Sequence, residues 1–182
     1  MKNVLILHGT DSTSQSNWFP WLAAELKARG WKVWSPDLPH AEKPNVTRYN
    51  EFLLSGGWEF NEDSVLIGHS SGAVEILALL PHLSVIKAAV LVGAFKDDLG
   101  WESLSELFLE PFDFDAIRSH AKKFVFVHSD DDPHCPLEGA QFLAEKVGGE
   151  LIVKEGQKHF SIGTAGEAYK EFPFILEVIE QL

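Results

Sequence analysis

Cysteine is almost missing from this chain: Cys135 stands alone, so no internal disulfide can form, and no paired Cys/His spacing suggests a metal site. Basic residues are scarce as well. Fifteen Lys and Arg face twenty-seven Asp and Glu, a formal charge of -12, which is the wrong sign for gripping phosphate backbones or anionic lipid headgroups. Neither nucleic acid nor a membrane is therefore an expected partner. No apolar run approaches the length that spans a bilayer, and "MKNVLILHGT" is too short in apolar residues for a signal-peptide core. The expected location is cytoplasmic. Repeats, low-complexity tracts and linkers are missing too, which points to one domain over residues 1–182.

What the chain does have is apolar and aromatic mass. Apolar residues make up 45%, with thirteen Phe and six Trp, enough to bury a core. Short runs rich in Val, Ile, Leu and aromatics occur at Val4 to Leu7, Lys32 to Ser35, Ser64 to Ile67, Ala88 to Val92, Lys123 to His128 and Glu150 to Lys154. Their length and composition predict strands. Between several of them lie segments of helical spacing: Trp18, Leu22 and Leu26; Leu137, Ala140, Ala144 and Val147; Ile175, Ile179 and Leu182. Strand-helix alternation predicts an α/β fold of three layers, because parallel neighbours need crossovers and near-continuous apolar strands need cover on both faces. In such sheets the chemistry gathers at the carboxyl ends of the strands.

The stretch "VLIGHSSGAVEILALL" places Gly68-His69-Ser70-Ser71-Gly72 at one of those ends. Small residues two before and two after Ser70 let strand and helix approach closely, and the sharp turn pushes the serine hydroxyl outward. This is the pattern of a nucleophile elbow. The Ser71 N-H, at the start of the following helix, is a first oxyanion donor, and Thr10 N-H after His8-Gly9 is a candidate second. Ser12, Ser14 or Asn17 could assist from the same loop. His8 and His69 are expected to pack and hydrogen-bond beside the turn, and Cys135 to be buried apolar filler.

An activated serine needs a base and an acid that orients it, and in this architecture they follow the serine in the order acid, then histidine. "KFVFVHSDDDPHCP" brings Asp130, Asp131 and Asp132 to a strand end, and "ELIVKEGQKHF" brings His159 to the next. Asp97 and Asp98, after the preceding strand, are alternative acids. On residue types and spacing alone the acid stays open.

These motifs together resemble an α/β-hydrolase, and more narrowly the small serine hydrolases related to the retinoblastoma-binding serine hydrolase and its bacterial YdeN-like relatives. The resemblance runs from "VLILHG" through "NWFPWLAAELKARGWKVWSPDLP", "VLIGHSSG", "AAVLVGAF" and "SDDDPHCP" to "GQKHF". It implies a sheet of six parallel strands in the order 2-1-3-4-5-6, counted along this chain. It also assigns the acid to Asp132, through the Asp-Pro-x-x-Pro pattern with Pro133 and Pro136, and the base to His159, through the "HF" pair. Two departures stand out: Tyr49 occupies a place where relatives often have tryptophan, and the Leu-x-Cys-x-Glu motif for retinoblastoma-type partners is missing.

The reading that follows is a serine hydrolase with Ser70, Asp132 and His159 as its triad, acting without cofactor or metal on a small ester or amide. Residues 95–122 are a candidate reduced lid, with Trp101, Phe108 and Phe112 as candidate pocket residues. The rival readings are a non-catalytic interaction module on a hydrolase fold and an acyl thioesterase.

Overall fold

The computed structural model describes residues 2–182. All the predicted strands form: β1 (Asn3–Leu7), β2 (Lys32–Trp34), β3 (Ser64–His69), β4 (Ile86–Val92), β5 (Ala121–Ser129) and β6 (Glu150–Lys154). They pair parallel in one sheet, in the expected order β2-β1-β3-β4-β5-β6. The register aligns Leu7 with Gly68, His69 with Val92, Val92 with Val127, and Ser129 with Lys154. One edge of the sheet therefore collects the turns after β1, β3, β4, β5 and β6.

Each inner strand alternates its side chains between two cores, as the period of two requires. Leu5, Leu66, Leu91 and Phe126 face α2 (Val46–Ser55), α3 (Ser71–Leu79) and α5 (Leu137–Val147), while Val4, Ile67, Val90 and Val125 face α1 (Phe19–Ala28) and α7 (Pro173–Glu180). Two shorter helices, α4 (Phe114–Ser119) and α6 (Ile162–Ala165), complete the chain. Helix ends carry their own signals. The Asn45 side chain accepts from Arg48 N-H at 2.8 Å to start α2, and Gly148, at a φ of 69°, closes α5 in the left-handed region. Among the described residues no helix is long and apolar enough to cross a membrane.

One buried group sits uneasily in this packing. Glu75, in the middle of α3, is fully buried, and neither carboxyl oxygen has a hydrogen-bond partner among the described residues. Burial pushes its carboxyl well above the ordinary range, and its proximity also adds to the upward push that burial gives the Tyr49 phenol. A raised folded-state pKa means that stability is fully present below the ordinary carboxylate range and is lost as pH rises through the folded pKa. The slope is about 1.4 kcal/mol per pH unit while only the unfolded chain is ionised. Glu75→Gln keeps the shape and removes the titration. Comparing unfolding free energies of the two proteins from pH ~5 upward should show the Gln variant gaining on the parent until the folded-state carboxyl itself ionises. A constant difference would mean that Glu75 titrates normally.

Candidate active site

The turn after β3 is strained in the way a strand-to-helix elbow demands. Ser70 adopts φ 57° and ψ -124°, a left-handed backbone that costs a non-glycine residue roughly 1–3 kcal/mol. The surrounding structure holds it there. Ser70 N-H donates to Val92 O at 2.8 Å, and Ser70 O accepts from Ala73 N-H at 2.9 Å. The flanking glycines are required by contact distance: a Cβ on Gly68 would lie 2.4 Å from Gly72 O, and one on Gly72 would lie 2.5 Å from His8 O. Strand β3, helix α3 and the end of β1 meet with no room for a side chain.

Beyond β5 the acidic loop divides its work. Asp132 accepts from His134 N-H at 2.8 Å and Cys135 N-H at 2.9 Å through Oδ1, and meets His159 Nδ1 through Oδ2 at 2.7 Å. Its side chain is 1% exposed, yet it stays a carboxylate. Burial pushes its pKa up, but the His159 imidazole and the two amides outweigh that and leave it below the ordinary value. The other carboxylates weighed from sequence are occupied elsewhere. Asp131 holds Lys158 Nζ at 2.6 Å, and with the Lys158 and Ser129 hydrogen bonds its pKa falls to about 2. Asp130 accepts from Gly156 N-H, Asp97 binds Lys96, and Asp98 accepts from Gly100 N-H.

The His159 loop is braced by residues that sequence reasoning did not assign to it. His69 Nε2 donates to His159 O at 2.8 Å, Trp18 Nε1 donates to Phe160 O at 3.0 Å, and Asn17 Oδ1 accepts from Ile162 N-H at 2.9 Å. Burial lowers the His69 pKa to about 3, so its ring is neutral and carries its proton on the nitrogen that donates. Gly93, at a φ of 63°, makes room: a Cβ there would lie 3.1 Å from His159 Cε1. A glycine in "VLVGAF" was the available signal, but nothing local linked it to a histidine far along the chain.

Ser70, His159 and Thr10 line one cavity of ≈ 440 Å³. Part of the lining is apolar, from Phe95, Leu99, Trp101 and Leu104, and part is polar, from Asp11, Ser12, Asn17 and Thr164 among others. Gly9 and Thr10 of the expected oxyanion loop also line it. The His8 ring nitrogen Nδ1 donates to Gly9 O at 2.9 Å while Nε2 accepts from Leu38 N-H at 2.8 Å. Because the Gly9-Thr10 peptide is planar and trans, fixing that carbonyl fixes Thr10 N-H in the opposite direction. Ser71 opens α3, so its N-H has no acceptor within the helix, and its hydroxyl accepts from the Thr10 hydroxyl at 3.0 Å.

Of the pocket residues expected from sequence, Trp101 lines this cavity and Phe108 and Phe112 do not. The correction has a packing cause. A 3₁₀ turn over Glu102–Leu107 directs Leu104 and Leu107 inward, so Phe108 packs against Phe95, its tilted ring 5.9 Å away, and Phe112 meets Phe108 edge-on at 5.8 Å. Leu104 and Leu107 are buried to 3% and 2% exposure, which pins residues 95–122 to the body at that turn. Cys135 is buried, as expected, against Phe95 and Leu104. Asp132, Cys135 and His159 bring three possible metal ligands within 4.8 Å of one another. Asp132 and His159 already hold each other, however, and burial pushes the Cys135 thiol up, away from the thiolate form a metal would bind.

A family model described as serine hydrolase matches residues 4–181. The chain belongs to the serine hydrolase family. Within it, the chain is 28% identical over 182 residues to the putative hydrolase YdeN of Bacillus subtilis, covering 98% of this chain and 94% of that protein. It is 25% identical over 158 residues to the serine hydrolase RBBP9 of Rattus norvegicus, covering 84% and 83% of the two chains. The crystal structure of the B. subtilis ydeN gene product superposes with a TM-score of 0.92 at 27% identity, covering 100% of this chain and 98% of that one. Est1E from Butyrivibrio proteoclasticus shares the fold at a TM-score of 0.70 and 19% identity, over 98% of this chain and 88% of its own. This serine hydrolase therefore has the YdeN/RBBP9-like α/β-hydrolase architecture, and hydrolysis is its class of reaction.

Proposed function

We propose that this member of the family cleaves a small carboxylic ester or amide through an acyl-enzyme, with Ser70 as nucleophile, His159 as base and Asp132 as the acid that orients it. The observation that carries this reading is the 2.7 Å bond from His159 Nδ1 to a buried, ionised Asp132, placed beside the cavity that also holds strained Ser70. With Nδ1 committed to Asp132, the free ring nitrogen Nε2 is left to take a proton.

The steps balance without any cofactor. Ser70 Oγ attacks the substrate carbonyl carbon as its proton passes to His159 Nε2, and the carbonyl oxygen becomes an oxyanion received by the Thr10 and Ser71 N-H groups. Collapse breaks the bond to the leaving alcohol or amine, which takes the proton from His159. Water then attacks the acyl-Ser70 ester, again giving its proton to His159, and the second collapse releases the carboxylic acid and restores the serine. Asp132 stays ionised throughout and stabilises the imidazolium. The partner is a small molecule, in keeping with a chain charge of -12 that suits neither nucleic acid nor an anionic membrane.

Labelling with a neutral fluorophosphonate, followed by peptide mapping, tests this reading. The expected result is a single phosphonylated site at Ser70. A folded protein that takes no label would support the rival in which the hydrolase fold serves only as an interaction module.

A further inference from the structure

The cavity beside Ser70 offers its ligand a negative charge and no matching positive one. Asp11 is the acidic residue in its lining, and among the described residues no lysine or arginine lines the cavity. The lysines next to its other lining residues are already paired. Lys158, before His159, holds Asp131 at 2.6 Å, and Lys96, after Phe95, holds Asp97 at 2.8 Å.

Asp11 is presented rather than tied down. Its backbone sits at a φ of 52° with the N-H donated to Ala41 O at 3.0 Å, while its exposed carboxylate has no ion pair or hydrogen bond among the described residues. Left-handed backbone at a non-glycine residue costs free energy and concentrates at sites that use it. The field of the whole chain, at a formal charge of -12, adds in the same direction by drawing cations and turning anions away.

Resting on the acyl-transfer reading above, we infer that this cavity selects its substrate by charge, and that Asp11 is the specificity-determining residue. The preferred class is an ester or amide whose acyl chain ends in an ammonium group. Its carbonyl lies over Ser70, its methylene stem lies against Leu99, Trp101 and Leu104, and its head donates to the Asp11 carboxylate. A neutral isostere loses the head contact. An anionic one meets Asp11 with no compensating cation.

The test uses p-nitrophenyl esters of ε-aminocaproate and heptanoate and the mono-p-nitrophenyl ester of pimelate, which match in chain length and differ in the charge of the terminal group. At low ionic strength kcat/KM should fall in that order, by roughly two- to fivefold per step, as expected for one exposed charge pair. Added salt should compress the order while leaving the heptanoate rate nearly flat. Asp11→Asn, a residue at home in left-handed backbone, should bring the aminocaproate-to-heptanoate ratio close to one. If wild type turns over the pimelate ester as well as heptanoate, or if the ratio survives Asp11→Asn, charge selection by Asp11 is wrong. Neutral fluorophosphonate labelling separates the two failures. Labelled Ser70 without a charge order overturns only this inference, whereas an unlabelled Ser70 overturns the acyl-transfer reading beneath it.

Discussion

Replacing Ser70 with alanine should leave a protein that melts like the parent and turns over an activated ester on the order of a million-fold more slowly. The stability half of that expectation follows from the elbow. The backbone bonds from Ser70 N-H to Val92 O and from Ala73 N-H to Ser70 O need no side chain, and alanine meets the same left-handed strain as serine. The activity half follows from the chemistry, since Ser70 lines the cavity and its neighbour does not: Ser71 is buried, and its oxygen accepts from Thr10. The check is single-turnover kinetics on both Ser70→Ala and Ser71→Ala, with melting curves alongside. Near-parental turnover in the first with loss in the second would move the nucleophile to Ser71.

Asp132→Asn should cost roughly ten-thousand-fold in kcat through the histidine tautomer, a loss of the size that this exchange brings in a triad. The local hydrogen bonds dictate how. The amides of His134 and Cys135 both donate to Oδ1, so the asparagine must keep its carbonyl oxygen toward them and turn its NH2 toward His159. An NH2 facing Nδ1 forces that nitrogen to accept, and the ring proton moves to Nε2, where the base is needed unprotonated. Shape and burial hardly change, so folding should survive. Asp131→Asn, Asp97→Asn and Asp98→Asn each remove a charge that is engaged with a lysine or a turn amide. They should each stay within about tenfold of the parent, a margin of ~1.4 kcal/mol in transition-state stabilisation. A greater loss at any of them than at Asp132 would transfer the orienting role there.

Much of the architecture was legible because it is written in local patterns. The apolar runs marked every strand, with errors only at the ends: β3 continues through Gly68 and His69, and β4 starts earlier, at Ile86. Helix α2 escaped notice. In "VTRYNEFLLS" only Tyr49 and Leu53 are buried, too thin an apolar stripe to announce itself, although Pro44 and the Asn45 cap marked its start. The pocket aromatics were misjudged for a related reason. Which side chains of residues 95–122 face the cavity depends on the phase of a 3₁₀ turn, and composition does not carry phase. The braces on the His159 loop were out of reach altogether. Trp18 lies 142 residues from Phe160 and His69 lies 90 from His159, so each bond exists only once the sheet has brought the strand ends together.

The cavity's polar and apolar linings differ in how freely they can change. On the polar side Asn17 both lines the cavity and holds Ile162 N-H behind the histidine, so a substitution chosen to reshape the binding surface would also loosen the base. On the apolar side Leu99, Trp101 and Leu104 have no hydrogen-bonding part in the His159 or Asp132 network, and Trp101 is half exposed at 49%. Divergence among relatives, and any laboratory redesign, should therefore run through Leu99 and Trp101, while Leu104 stays as a buried anchor and the polar lining drifts slowly because Asn17 serves two masters.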